Sequence, residues 1–112
     1  MCHRAQLAGL EAARAGTTGA GADAAARAVI DDAGFGEHFG HGLGHGVGIE
    51  IHEGPRLGRE STDTLVAVNV VTVEPGIYLE GVGGIRIEDL VVVHDGDPEI
   101  LTTSTKDPVT VT

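Results

Sequence analysis

The first third of the chain carries a helical pattern. In RAQLAGLEAARAG, Leu7, Leu10 and Ala13 recur at near-helical spacing. Gly16-Thr17-Thr18-Gly19 breaks the pattern and predicts a turn. A second Ala-rich run covers about residues 22–33 and stops at Gly34, a residue suited to the position just past a helix C-terminus. Asp23 stands near the start of that run, where a carboxylate suits the helix dipole. Glycines then dominate to Gly48, with residues 40, 42, 44, 46 and 48 all Gly, which opposes a long helix. Residues 65–79 are rich in β-branched side chains and predict a strand that ends or bends at Pro75. EGVGG at 80–84 reads as a turn, IRIEDLVVV at 85–93 as the next strand, HDGDP at 94–98 as a turn, and EILT as a short last strand. Helices followed by antiparallel strands predict an α+β class, with no linker or internal repeat.

Composition narrows this picture. A chain of 112 residues amounts to about one small domain. Phe35, Phe39 and Tyr78 are the only aromatics, so the core is expected to be mostly Val, Ile, Leu and Ala. Seven basic against seventeen acidic residues give a formal net charge of −10. Such a surface repels phosphate backbones and anionic lipid, so no nucleic-acid or membrane partner is expected and cationic ligands are favoured. No apolar run reaches the roughly 18 residues of a membrane span, and no signal-peptide pattern opens the chain. The expected location is cytoplasmic. Cys2 is the single cysteine, so no internal disulfide can form, and it reads as an incidental thiol.

The candidate chemistry starts in HGLGHGVGIEIHEGP, His41 to Pro55. On a straight strand His41 and His45 would share a face about 13 Å apart, at roughly 3.3 Å per residue. That is too far for both to bind one ion at about 2.1 Å. A helix would bring them together, but the alternating glycines oppose one. The spacing favours one histidine as a ligand and the others for nearby tasks, with glycines that let the chain bend and a substrate approach. A polar glycine loop with incidental histidines is the competing reading. Downstream, Glu74 has the strand parity of Val68, Val70 and Thr72, and Glu88 that of Arg86, Leu90 and Val92. Each glutamate closes or interrupts an apolar strand, where a carboxylate is costly unless paired or bound to a cation. Arg86 lies about 7 Å along the strand from Glu88 and can orient a carboxylate. A simple Arg–Glu pair without function explains the same residues.

Three motifs in order, HGLGHGVGIEIHEGP, TVEPGIY and GGIRIED, resemble the metallopeptidases of the pita-bread fold. Within them the Xaa-Pro peptidases, aminopeptidase P and proline dipeptidase, fit better than the methionyl aminopeptidases. The resemblance covers about residues 4–102. It implies His45, Glu74 and Glu88 as metal ligands, and His41 and His52 at the substrate, with His52 near the scissile carbonyl. It implies Glu74 as a general base as well, and Arg86 behind the ligands. It implies two divalent ions, manganese first and cobalt or zinc as alternatives, and hydrolysis of the bond before proline in a peptide or dipeptide. The pattern also departs from the family. Two of its five ligands are upstream aspartates, and no aspartate here stands in an early strand. Residues 1–112 are therefore expected to form the C-terminal half of a pita-bread catalytic domain, impaired alone and binding at most one ion weakly. The expected partner for its sheet is the upstream half or a second copy of the chain. A non-catalytic binding module of the same fold is the alternative function. Val68 stands where many relatives have a glycine turn, and Cys2 and His3 look foreign to the helix that follows. His52 has the opposite parity to His45 and is expected to face a different target.

Overall fold

A computed structural model describes residues 1–111. Helix α1 runs Cys2–Ala12 and α2 Gly19–Asp32. The buried faces are Cys2, Ala5, Gln6, Gly9 and Leu10 on α1, and Gly19, Ala22, Asp23, Ala26 and Ile30 on α2. Both follow the 3.6-residue period. Small side chains at the contact let the two helices pack closely on each other. Helix α1 also comes close to the sheet at Gly9, where a Cβ would touch Val73 and Leu43. Thr18 starts α2 by accepting the Gly21 N–H at 3.0 Å. Gly34 sits past its end at φ +88°, as the sequence suggested.

Four sequence expectations for this half change. Helix α2 starts at Gly19 rather than near residue 22, because Thr18 caps it. Asp23 therefore lies in the second turn; it is buried and bonded to side chains and backbone instead of serving the dipole. Leu7 is 50% exposed, since the stripe facing the core runs through Ala5, Gln6, Gly9 and Leu10. Cys2 and His3 belong to α1, and Cys2 is buried with its Sγ 3.5 Å from Pro75 O.

The sheet has five antiparallel strands in the order β2-β1-β3-β6-β7. They are β1 Gly44–Gly46, β2 Glu53–Leu57, β3 Val70–Val73, β6 Asp89–Val92 and β7 Glu99–Ile100. Strands β4 Gly76–Leu79 and β5 Gly83–Arg86 pair separately as a hairpin. Leu43, Leu57, Leu65, Val71, Val73, Val91 and Val93 are fully buried beneath the helical Ala5, Ala22, Ala26 and Ile30, the aliphatic core that the composition predicts. Two helices and a mainly antiparallel sheet make this the α+β arrangement that the sequence predicts. No helix among the described residues is long and apolar enough to cross a membrane.

Each long predicted strand divides in two. Residues 65–79 yield β3 and β4, separated at Glu74-Pro75, and residues 85–93 yield β5 and β6, separated at Ile87-Glu88. The division has a consequence for charge. Val73 pairs with Asp89 in one ladder, and Gly76 pairs with Arg86 in the other. Carrying that register across the gap sets Glu74 opposite Glu88. Strands β1 and β2 are absent from the sequence reading, because their glycines and Pro55 have low strand propensity. Pro55 is tolerated because β2 is an edge strand.

Val68 adopts φ +75°, a conformation that costs an L-residue roughly 1–2 kcal/mol. It is 72% exposed, so its side chain packs little. Val68→Gly removes the steric cost and adds a smaller entropic one. The expected net gain is about 0.5–1 kcal/mol, read as a higher urea midpoint; a lower midpoint would contradict it.

Candidate active site

His45 is the best-fixed of the three histidines in the glycine motif. It lies on β1, and its backbone N–H donates to Thr72 Oγ1 at 3.1 Å. Its Nδ1 lies 2.9 Å from Gly46 O. A carbonyl only accepts, so Nδ1 carries a proton and, in the neutral ring, Nε2 presents a lone pair. That Nε2 is 3.1 Å from Glu74 Oε1. Thr72 Oγ1 donates to the same carboxylate oxygen at 2.8 Å. With the ring neutral, that lone pair and the carboxylate face each other as two acceptors. Only a proton or a cation between them makes the contact favourable.

The second carboxylate is held beside the first. Arg86, on β5, places Nε 3.6 Å from Glu74 Oε2 and 3.7 Å from Glu88 Oε2. Its side chain is half exposed, so these ion pairs contribute little stability. Partial burial, and next the Glu74 carboxylate, push Glu88 above its ordinary value; Arg86 and His45 act in the opposite direction. The Tyr78 hydroxyl, then Glu74 and Glu88, hold the Arg86 guanidinium protonated beyond its ordinary range. Two carboxylates set opposite each other in register repel. One guanidinium offsets that repulsion only in part.

His41 occupies the loop ahead of β1. Its Nδ1 lies 2.7 Å from Gly42 O and its Nε2 2.7 Å from Tyr78 Oη. The carbonyl fixes the proton on Nδ1, so the neutral ring accepts the Tyr78 O–H at Nε2. His52 sits in the bends after β1, with its ring centroid 4.3 Å from that of His45. The two rings are neighbours, and the strand parity that predicts different targets for them does not apply. A register shift follows His45 and the chain then bends, so strand parity does not extend from residue 45 to 52.

These side chains share one wall between two hollows. A cleft of about 560 Å³ is lined by His41, His45, His52, Arg56, Glu74 and Arg86 among others. A neighbouring hollow of about 590 Å³ is lined by His45, His52, Glu74, Arg86 and Glu88. All six residues singled out in the sequence therefore converge, with His41 on one side and Glu88 on the other. Among the described residues, no three His, Cys, Asp or Glu side chains already stand in an arrangement that holds a metal ion. The Arg86 guanidinium occupies the position between the two glutamates. The sequence reading did not assign Tyr78 or Thr72 to the site. Both left signals there: Tyr78 is one of three aromatics and lies in TVEPGIY, and Thr72 shares the parity of Glu74.

Comparison with known proteins places this geometry in context. The model of metallopeptidase family M24 matches residues 1–95. The Xaa-Pro dipeptidase of Pyrococcus furiosus is 43% identical over 98 residues, covering 88% of this chain and 28% of that protein. The Xaa-Pro dipeptidase from Bacillus anthracis superposes with a TM-score of 0.92 at 48% identity, over 95% of this chain and 30% of that one. The X-Pro aminopeptidase from Thermotoga maritima superposes with a TM-score of 0.91 at 49% identity, again over 95% and 30%. The chain thus spans less than a third of the length of the relatives that it matches.

Proposed function

The chain belongs to metallopeptidase family M24, and on that premise we propose that it forms the histidine–glutamate part of a site that hydrolyses the peptide bond before proline. The observation that carries this reading is the contact of His45 Nε2 with Glu74 Oε1 at 3.1 Å, with Glu88 and Arg86 alongside. An imidazole lone pair and two opposed carboxylates suit a hard or borderline divalent cation. Manganese is the ion in this reading, with cobalt and zinc of similar ligand preference. His45, Glu74 and Glu88 would hold it once the half-exposed Glu88 turns away from Arg86. When bound, the cation would lower the pKa of the attacking water and offset charge developing on the substrate carbonyl.

The chain's own groups supply the remaining steps. Glu74 is placed to accept a proton from the attacking water. Thr72 keeps that carboxylate oriented through its 2.8 Å hydrogen bond. His52 donates to the carbonyl oxygen as negative charge builds there. His41, held by Tyr78, lines the cleft beside the bound peptide. The Gly46 carbonyl fixes the His45 tautomer that leaves Nε2 free.

With three donor side chains, the 112-residue chain alone is expected to take one manganese ion weakly and to hydrolyse poorly. The exposed Val82 and Ile85 of the hairpin support cover from an upstream half or a second copy. Titration calorimetry with manganese, run beside sizing chromatography, tests both points. Two tight sites per chain, or a sharp monomer peak, would count against them. For turnover, the chain is grafted in place of the matching segment of a crystallised relative and given a Xaa-Pro dipeptide. Manganese-dependent cleavage is expected. No binding and no cleavage would leave the non-catalytic binding module as the better account.

A further inference from the structure

The loop that carries His41 has no regular structure of its own. Residues 39–42 lie outside helix and strand, and glycines flank His41 on both sides. Such a segment does not hold a side chain still by itself. It is held instead from α2. Arg27 is largely buried, at 11% side-chain exposure, and Asp23 is at 1%. Arg27 Nε and NH2 donate to the two Asp23 oxygens at 2.8 and 3.1 Å. NH1 donates to Phe39 O at 2.9 Å, and NH2 also to His41 O at 3.0 Å. The guanidinium lies 4.0 Å from the Phe39 ring centroid, and that ring meets His41 edge-on at 5.2 Å. Asp23 Oδ1 accepts the Leu43 N–H at 3.0 Å, on the far side of His41. The pair thus grips the backbone before, at and after the histidine.

We infer that Asp23 and Arg27 are positioning residues that hold His41 against Tyr78 in the substrate cleft. Neither residue lines the cleft of about 560 Å³ that holds His41 and His45, so they act through the loop. Only a guanidinium serves here. Its planar fork bonds both carboxylate oxygens and still reaches two carbonyls, whereas a lysine ammonium has three donors at one point. The inference rests on the proposed role of His41 for its kinetic consequence, but not for its structural one.

Two measurements separate these levels. In the full chain, NMR is expected to show a cross-relaxation contact between the His41 and Tyr78 rings, whose centroids are 5.4 Å apart. Arg27→Lys is expected to abolish it and leave the His45–His52 contact intact. Ile30→Val, which trims a buried side chain one turn along α2, is the control for lost stability and is expected to keep both. In the grafted enzyme, Arg27→Lys is expected to slow Xaa-Pro dipeptide turnover by about 10- to 100-fold, as misplacement of a site group does. It is expected to add nothing to His41→Ala in the double variant. A persisting His41–Tyr78 contact in Arg27→Lys, or additive losses in the double variant, would overturn the inference. If the parent graft cleaves nothing, the functional reading fails, and the NMR result still decides the positioning role.

Discussion

His45→Ala is expected to lower manganese affinity by more than about 100-fold, beyond the range that loss of an orienting neighbour causes. The nitrogen it removes has no substitute. His52 is the neighbouring imidazole, its ring tilted against that of His45 at 4.3 Å between centroids, but it makes no contact with Glu74 or Glu88 of the kind that His45 Nε2 makes. His45 is also the only one of the pair with both its backbone and its ring tied down, by Thr72 Oγ1 and Gly46 O. His52→Ala removes a neighbour and no donor that contacts Glu74. Its manganese affinity is expected to fall by tenfold at most, while turnover in the grafted enzyme falls by about 10²–10³. Elemental analysis beside dipeptide hydrolysis separates the two. If His52→Ala loses the metal while His45→Ala keeps it, the two roles must be exchanged.

Much of this site was legible in the chain because its chemistry depends on local spacing. Glu74 shares parity with Thr72, and the two are hydrogen-bonded. Arg86 and Glu88 share parity, and the two are paired. Both readings hold because they span two residues within an extended segment. The His45–His52 reading spans seven residues across a register shift and several bends, and parity does not survive that. The break of each long strand was half visible. Pro75 announced one, but nothing local to Ile87 announced the other, which follows from its partner: Ile87 N donates to Pro75 O. The grip of Asp23 and Arg27 on the His41 loop was invisible for a similar reason. It joins side chains to main-chain groups 12, 14 and 20 residues away, two carbonyls and one N–H, and the main chain carries no sequence identity.

The glycines of the histidine motif also have a different cause from the one that their composition suggests. None of residues 40, 42, 44, 46 or 48 has a positive φ, so conformational freedom is not what requires glycine there. Close approach is. A Cβ on Gly44 would collide with the backbone carbonyl oxygen of Thr72, and with Thr72 Oγ1 at 2.9 Å. A Cβ on Gly46 would collide with the carbonyl of Gly54. Strand β1 is pressed between β2 and β3, and that pressure brings the His45 ring to Glu74.

Gly44→Ala is therefore expected to destabilise the fold by about 3 kcal/mol, near the top of the usual range for overpacking. The obstacle is the backbone of β3, which cannot swing aside as a side chain can. Relief requires β1 to part from β3. That would stretch the 3.1 Å bond from His45 N–H to Thr72 Oγ1 and loosen the hydroxyl that orients Glu74. Metal affinity should fall together with stability. Gly40→Ala is the matched comparison within the same motif. Nothing lies within 4 Å of a Cβ at Gly40, and its φ is not positive. It is expected to change stability by less than about 0.5 kcal/mol, as surface substitutions do. Urea unfolding of the two variants beside the parent measures both. Equal losses at the two positions would mean that glycine is required along the motif for flexibility. A loss confined to Gly44 assigns the requirement to the contact between β1 and β3.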